Sequence, residues 1–246
     1  MLRPALIRLR TQAARILAAA PCCCALCGRT GATALCDGCR RRYLDSPAAR
    51  CTQCAIALPA AAGSILCGAC LRRPPSFDAA VVASDYAAPL DQLVLALKFG
   101  GQLAMAPLFG QLLADALRRL PRQDWPEVLT PVPLGRRRLA ERGFNQALEI
   151  ARPLARSLAL PLASRLLARQ RETAPQSLLT PAERRANLRR AFSLAQAGLE
   201  RVRGRHVGVV DDVLTTGATL EEIAATLKRC GAARVTCLAF ARTGHR

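Results

Sequence analysis

The run Val209-Val-Asp-Asp-Val-Leu-Thr-Thr-Gly-Ala-Thr219 concentrates residue types that rarely meet without a ligand. An apolar, strand-like stretch ends in two adjacent carboxylates, Asp211 and Asp212. A loop of hydroxyls and glycine then opens a helix. The free N–H groups of a helix N-terminus, flanked by hydroxyls and by a glycine that permits close approach, cradle a phosphate. Carboxylates repel phosphate but suit sugar hydroxyls or a hydrated Mg²⁺. A ribose carrying a phosphate on its 5′ carbon needs both halves. Competing nucleotide motifs fail: no lysine precedes Thr219, and no Gly-x-Gly-x-x-Gly follows a strand. An ordinary strand, turn and helix with a threonine cap would not call for the whole combination.

The second chemical constellation is made of thiols. Ten of the 12 cysteines fall between Cys22 and Cys70; Cys230 and Cys237 lie near the end. Four pairs have two intervening residues: Cys24/Cys27, Cys36/Cys39, Cys51/Cys54 and Cys67/Cys70. That spacing lets a tight turn aim both sulfurs at one ion, and Gly28, Gly38 and Gly68 allow the backbone to curl round it. Eight thiolates suffice for two tetrahedral Zn²⁺ sites, grouped sequentially or interleaved. Sites closed by four thiolates have no open position and are structural. An iron–sulfur cluster would use the same ligands, but matched knuckles with no redox partner motif fit zinc ribbons better. Cys22 and Cys23 are spare, although Cys23 could replace Cys24 in a looser knuckle. With too little apolar sequence to fold by itself, this segment depends on metal, and chelation is expected to unfold about the first 75 residues while leaving the rest largely intact.

These groups belong to a chain of 246 residues, 51% hydrophobic, long enough to bury a sizeable core. No stretch reaches the roughly 20 uninterrupted apolar residues of a membrane-spanning helix, so no membrane span is expected. The basic start lacks a continuous apolar region before a cleavage site and reads as a short amphipathic helix on a cytoplasmic protein. Reduced thiols follow from that compartment. The formal net charge is +19, and every basic residue except Lys98 and Lys228 is arginine. This favours anionic partners, phosphates or nucleic acid, whereas 4% aromatics argue against base-stacking platforms.

The elements that must position the chemistry begin after the turn-rich boundary at 71–78. Strands are expected at 79–84, 127–132, 162–168, 206–210 and 234–241, and helices at 91–99, 103–120, 145–158 and 218–230. A long polar loop follows residue 168. The alternation predicts an α/β domain with a mainly parallel sheet. Ligands of such sheets sit beyond the carboxyl ends of the strands, which points to the loops after Val132, Ala168 and Val210.

The run 209–219 resembles the 5-phosphoribosyl-1-pyrophosphate (PRPP) signature of type I phosphoribosyltransferases. Further segments narrow the resemblance to the ComF family, associated with DNA uptake in competent bacteria. They are the cysteine knuckles; Leu97-Lys-Phe-Gly100, Pro131-Val-Pro-Leu134 and Arg142-Gly-Phe-Asn-Gln146; and Arg171-Glu-Thr-Ala-Pro-Gln176 with Arg184-Arg-Ala-Asn187 and Ala191-Phe192. The resemblance covers about residues 22–242. It implies a double zinc ribbon over 22–73 and a type I phosphoribosyltransferase-like domain over 78–246, preceded by the helical extension expected over 1–21.

By that resemblance, Asp211 and Asp212 hold the ribose hydroxyls, directly or through Mg²⁺, and are the catalytic pair. Thr215, Thr216, Gly217, Ala218 and Thr219 wrap the 5-phosphate. The turn at Pro133, Leu134 and Gly135 is the pyrophosphate loop, with Arg136, Arg137, Arg138 and Arg142 nearby to neutralise diphosphate; a solvated basic face is the alternative for any single arginine. Lys98, between apolar Leu97 and Phe99, is either a phosphate contact or a snorkelling surface lysine. Residues 173–187 correspond to a mobile loop that closes over the site, with Thr173, Gln176, Arg184 and Asn187 as candidates; a surface helix with cap residues is the alternative.

The implied chemistry is displacement of pyrophosphate at the anomeric carbon, with Mg²⁺ and arginines stabilising the departing group. No general base is evident, and neither His206 nor His245 is assigned. Characterised type I enzymes recognise the acceptor with an extra hood, commonly built from chain termini, yet only five residues, Arg242 to Arg246, follow the last expected strand. Two functions stay open: a phosphoribosyltransferase acting on an unknown acceptor, or a PRPP-regulated adaptor handling single-stranded DNA for DNA-uptake machinery or for DNA use as a nutrient. The adaptor is supported by Arg40-Arg-Arg42 and Arg72-Arg73 beside the knuckles, where only Tyr43 could stack on a base.

Overall fold

A computed structural model describes residues 22–45, 49–59, 63–170 and 191–244. The chain divides into two compact units, one up to residue 46 and one from residue 47 onward.

In the first unit, strands β1 (Cys22–Cys23) and β2 (Thr30–Gly31) pair antiparallel, and helix α1 (Asp37–Tyr43) follows with Cys36 as its N-cap. The larger unit opens on a similar plan: Cys51 and Cys54 sit on a turn, and Cys67 caps helix α2 (Gly68–Arg72). In both cases the first knuckle is a turn and the second starts a short helix.

The rest of the larger unit is built on four parallel strands, β3 (Ala79–Asp85), β4 (Val128–Pro131), β7 (His206–Leu214) and β8 (Arg234–Arg242), in the order β3-β8-β7-β4. The central pair β7 and β8 is almost wholly buried, as their near-continuous apolar runs require, whereas edge strand β3 alternates. Helices α3 (Leu90–Lys98), α4 (Met105–Arg118), α5 (Arg136–Arg142), α6 (Gln146–Leu158) and α7 (Ala218–Arg229) connect the strands. Helix α4 packs on one sheet face, where Phe109 stacks on Phe240 of β8 with ring centroids 3.7 Å apart. On the other face, Ile223 and Leu227 of α7 share a core with Val207, Val209, Val235 and Cys237. Helices therefore cover both faces of the sheet, as a parallel sheet demands.

The sequence placed a strand at 162–168. The structure instead has β5 (Leu167–Arg169), antiparallel to an unforeseen β6 (Phe192–Leu194), in a separate two-stranded sheet. Leu162 makes only an isolated bridge to Leu129. A three-residue strand has too few side chains to show a period. Helix α5 was also unforeseen, because Arg136-Arg-Arg-Leu-Ala-Glu-Arg142 leaves no buried side chain and so presents no apolar stripe. Strand β7 runs on through the acidic pair to Leu214 because its partner continues as far as Arg242, which pairs with Leu214. The expected extension over 1–21 lies outside the described residues.

Candidate functional site

The extra length of β7 decides where the carboxylates point. Asp212 is only 3% exposed. Its Oδ1 accepts the Val213 N–H at 2.7 Å and lies 3.0 Å from Lys98 Nζ; its Oδ2 is buried with no hydrogen-bond partner. Asp211 Oδ1 accepts the Asp212 N–H at 2.9 Å. Burial raises the Asp211 carboxyl, the Asp212 charge adds to the shift, and Lys98 opposes both; the result is a pKa of about 7. Two acids in succession at the end of a buried strand are thus held against an electrostatic cost, with one lysine set against them.

Beyond Leu214 the chain turns into α7. Gly217 caps this helix at φ +80°, where a side chain would be strained, and Thr216 Oγ1 accepts the Ala218 N–H at 3.4 Å. Helix α6 begins where the chain returns from β4: Asn145 Oδ1 accepts the Ala147 N–H at 3.0 Å as N-cap, while its Nδ2 donates to Val132 O at 3.0 Å.

A cavity of about 870 Å³ lies at the carboxyl ends of β4 and β7. Of the residues singled out in the sequence, Asp211, Asp212, Thr215, Thr219, Lys98, Pro133, Leu134, Arg138 and Arg142 line it. Thr216, Gly217, Ala218, Gly135, Arg136 and Arg137 lie outside its lining: Gly217 and Gly135 shape the two turns as N-caps, Arg136 is exposed, and Arg137 pairs with Glu141 at 2.8 Å. Lys98 meets Asp212 at 3.0 Å within the cavity lining. Thr173, Gln176, Arg184 and Asn187 lie outside the described residues. Sequence reasoning missed Phe99, Glu141, Phe144, Asn145, Gln146 and Arg169, all in the lining. Five of them stand within or beside runs already singled out by their motifs; Arg169 gave no signal, because the strand that ends with it was misplaced. His206 lies at the opposite, amino end of β7, its Nε2 2.7 Å from Thr236 Oγ1 and its pKa lowered by burial.

Both cysteine groups are sequential, Cys24/Cys27/Cys36/Cys39 and Cys51/Cys54/Cys67/Cys70, with the sulfurs of each within 4.8 Å of one another. Burial raises Cys24, but the N–H groups of Cys36, Cys27 and Leu26 more than offset it and bring the thiol down to about 6. Cys51 comes down to about 7 in the same way, through the N–H groups of Cys67, Cys54 and Gln53. In contrast, burial and the neighbouring thiols push Cys39 up to about 12 and raise Cys70 as well. Four close sulfurs cannot all ionise alone. A divalent cation of thiolate preference fits the donor set.

The second group is tied directly to the sheet. Arg50 makes a two-pronged ion pair with Asp85 at the end of β3, at 2.8 and 3.0 Å, and also donates to Ala55 O. Arg242, the last residue of β8, donates Nε–H to Cys54 O at 3.0 Å and Nη1–H to Leu214 O at 3.0 Å and to Thr215 O. One guanidinium thus joins a cysteine knuckle to the start of the hydroxyl loop.

The phosphoribosyl transferase domain family model matches residues 145–246. DNA utilization protein YhgH of Escherichia coli (strain K12) is 40% identical over 196 residues, covering 78% of this chain and 84% of that protein. Competence protein F of Haemophilus influenzae is 36% identical over 211 residues, 85% of this chain and 90% of that one. The chain belongs to the ComF family. Its fold is of the type I phosphoribosyltransferase class, joined in this ComF member to two zinc-ribbon-like cysteine groups. Among solved structures, glutamine PRPP amidotransferase from B. subtilis is 22% identical, covering 54% of this chain and 25% of that chain (TM-score 0.35). TT1426 from Thermus thermophilus is likewise 22% identical, covering 55% of this chain and 72% of that chain (TM-score 0.34).

Because folding raises the Asp211 pKa from 3.8 to about 7, the native state binds more protons than the unfolded one between those values. Stability from this group is therefore present below the lower value and is lost as pH rises through the higher one. Asp211→Asn should stabilise the protein at pH 8 by on the order of 1–2 kcal/mol, allowing for partial exposure, and make no difference near pH 4; urea melts at both pH values measure this, and an equal effect at both would refute it. Separately, stripping metal from the second cysteine group should speed amide hydrogen exchange at Thr215 to Gly217, because Arg242 loses its hold on Cys54. Unchanged exchange after verified metal loss would separate the two sites. This departs from the sequence expectation that chelation spares the domain.

Proposed function

We propose that this ComF-family chain binds PRPP with Mg²⁺ in the 870 Å³ cavity and transfers the phosphoribosyl group to an acceptor, releasing pyrophosphate. The observation that carries this reading is that the acidic pair and the threonines on either side of the turn, Thr215 and Thr219, line the same cavity. Asp211 and Asp212 orient the ribose hydroxyls, and the N–H groups at the start of α7 receive the 5-phosphate. The orphaned Asp212 Oδ2 suits a hydroxyl donor or a hydrated cation. Mg²⁺, when bound with PRPP, would supply charge neutralisation on the diphosphate.

In this reading Lys98, Arg138 and Arg142 give the diphosphate a positive wall, and Pro133, Leu134 and Gly135 turn the backbone beside it. The acceptor nitrogen forms a bond to the anomeric carbon as the carbon–oxygen bond to diphosphate breaks. The electron pair leaves with pyrophosphate, and the acceptor's proton passes to solvent. Zn²⁺ in the two cysteine groups has a structural role, since each set supplies four sulfurs and no open position.

A second reading is a PRPP-regulated adaptor for single-stranded DNA, working with the DNA-uptake machinery. The net charge of +19, the arginine run on α1 and the names of the relatives favour it. Contacts of that kind are chiefly to phosphate and would weaken steeply with salt.

A pyrophosphate-release assay with PRPP and Mg²⁺, run across nucleobases and single-stranded DNA, separates the two. Acceptor-dependent release, lowered at least about a hundredfold in Asp212→Asn, is expected. No release with any acceptor, alongside salt-sensitive DNA binding that PRPP modulates, would replace the transferase with the adaptor.

A further inference from the structure

The chain is poor in aromatic residues, with six phenylalanines. Four of them, Phe77, Phe109, Phe192 and Phe240, are at most 4% exposed and belong to the core. The remaining two, Phe99 and Phe144, both line the cavity that holds the acidic pair. Phe99 is 75% exposed, more than any other large apolar side chain among the described residues. A scattered exposed phenylalanine needs no explanation. Here, however, every phenylalanine outside the core converges on one polar cavity.

The surroundings of Phe99 hold it there. It caps the C-terminus of α3, its N–H bonded to Leu95 O at 2.8 Å. It directly follows Lys98, whose ammonium is fixed 3.0 Å from Asp212. The Arg142 guanidinium stands 5.6 Å from the ring centroid and is itself anchored by donating to Gln146 Oε1 at 2.6 Å. Phenyl rings and guanidinium planes are both side-chain surfaces on which flat heterocycles stack. A phosphate gains nothing from an exposed ring, so the Phe99 and Phe144 rings are chemically unlike the charged groups that would take the diphosphate.

We infer that Phe99 and Phe144, beside Arg142 of the diphosphate wall, form the acceptor subsite, a stacking surface for a planar nitrogen heterocycle of nucleobase type, free or carried in a single DNA strand. The inference deepens the transferase reading and rests on it for the word acceptor; the stacking surface stands on its own geometry. A low aromatic content does not preclude base stacking here, because scarcity matters less than where the rings outside the core lie.

The probe is 2-aminopurine, whose fluorescence is quenched on stacking, offered to the full chain as the free base and within a single-stranded oligonucleotide, with and without PRPP and Mg²⁺. Saturable quenching is expected, with affinity about tenfold weaker in Phe99→Ala and restored in Phe99→Tyr. Since Phe99 is mostly exposed, its removal takes little from the core, and a thermal melt verifies folding. Quenching of the free base identifies a small heterocycle as the ligand; quenching in the oligonucleotide alone identifies a polynucleotide. Absence of quenching by both forms, or equal quenching by Phe99→Ala, would overturn the inference. PRPP affinity is measured separately by calorimetry, so that failure to bind PRPP would remove the transferase reading while the stacking result remained legible.

Discussion

Two neighbouring carboxylates at the end of a central, buried strand constrain the rest of this molecule. Asp212 is almost fully enclosed, and Asp211 is raised to a pKa of about 7 by burial and by its neighbour. Carboxylates so placed oppose folding unless they are compensated. Lys98 supplies one compensation from the end of α3, and the Val213 N–H another from the strand itself. Asp212 Oδ2 is left with none. A chain selected for stability alone would replace this pair with apolar residues; in the proposed function the pair is kept to hold sugar hydroxyls.

The parallel sheet makes the arrangement practicable. β7 is flanked by both β8 and β4 as far as Val210, and β8 continues beside the acidic pair to hold its backbone in the sheet. The pairing of Leu214 with Arg242 carries the strand past the carboxylates, so the hydroxyl loop begins only after the acids are in place. Arg242 then binds the carbonyls of Leu214, Thr215 and Cys54. The second cysteine group is thus part of the framework around the loop, although in sequence it reads as half of a separate tandem module.

The candidate site was legible in the sequence because its residues are local. The acids, the threonines and Gly217 occupy one short run whose periodicity switches from strand to helix, and each cysteine pair carries its metal geometry in its own spacing. The mainly parallel α/β class followed from long apolar runs such as Val207 to Val210. What stayed hidden depends on distant pairing. Leu167–Arg169 forms its hairpin with Phe192–Leu194, far along the chain, and α5 has no apolar face to announce it. Lys98 was visible as an isolated lysine, but its partner Asp212 comes from a different strand much later in the chain. The two phenylalanines outside the core looked ordinary singly; only the fold brings them to one rim.

The decisive question is whether one molecule spans the acidic pair and the hydroxyl loop. A crystal of the protein soaked with PRPP and Mg²⁺ tests this most directly. The expected density has the ribose hydroxyls within hydrogen-bonding reach of Asp211 and Asp212, and the 5-phosphate on the N–H groups between Thr215 and Thr219. A donor bound elsewhere, or a phosphate on the loop with its sugar turned away from both carboxylates, would contradict it.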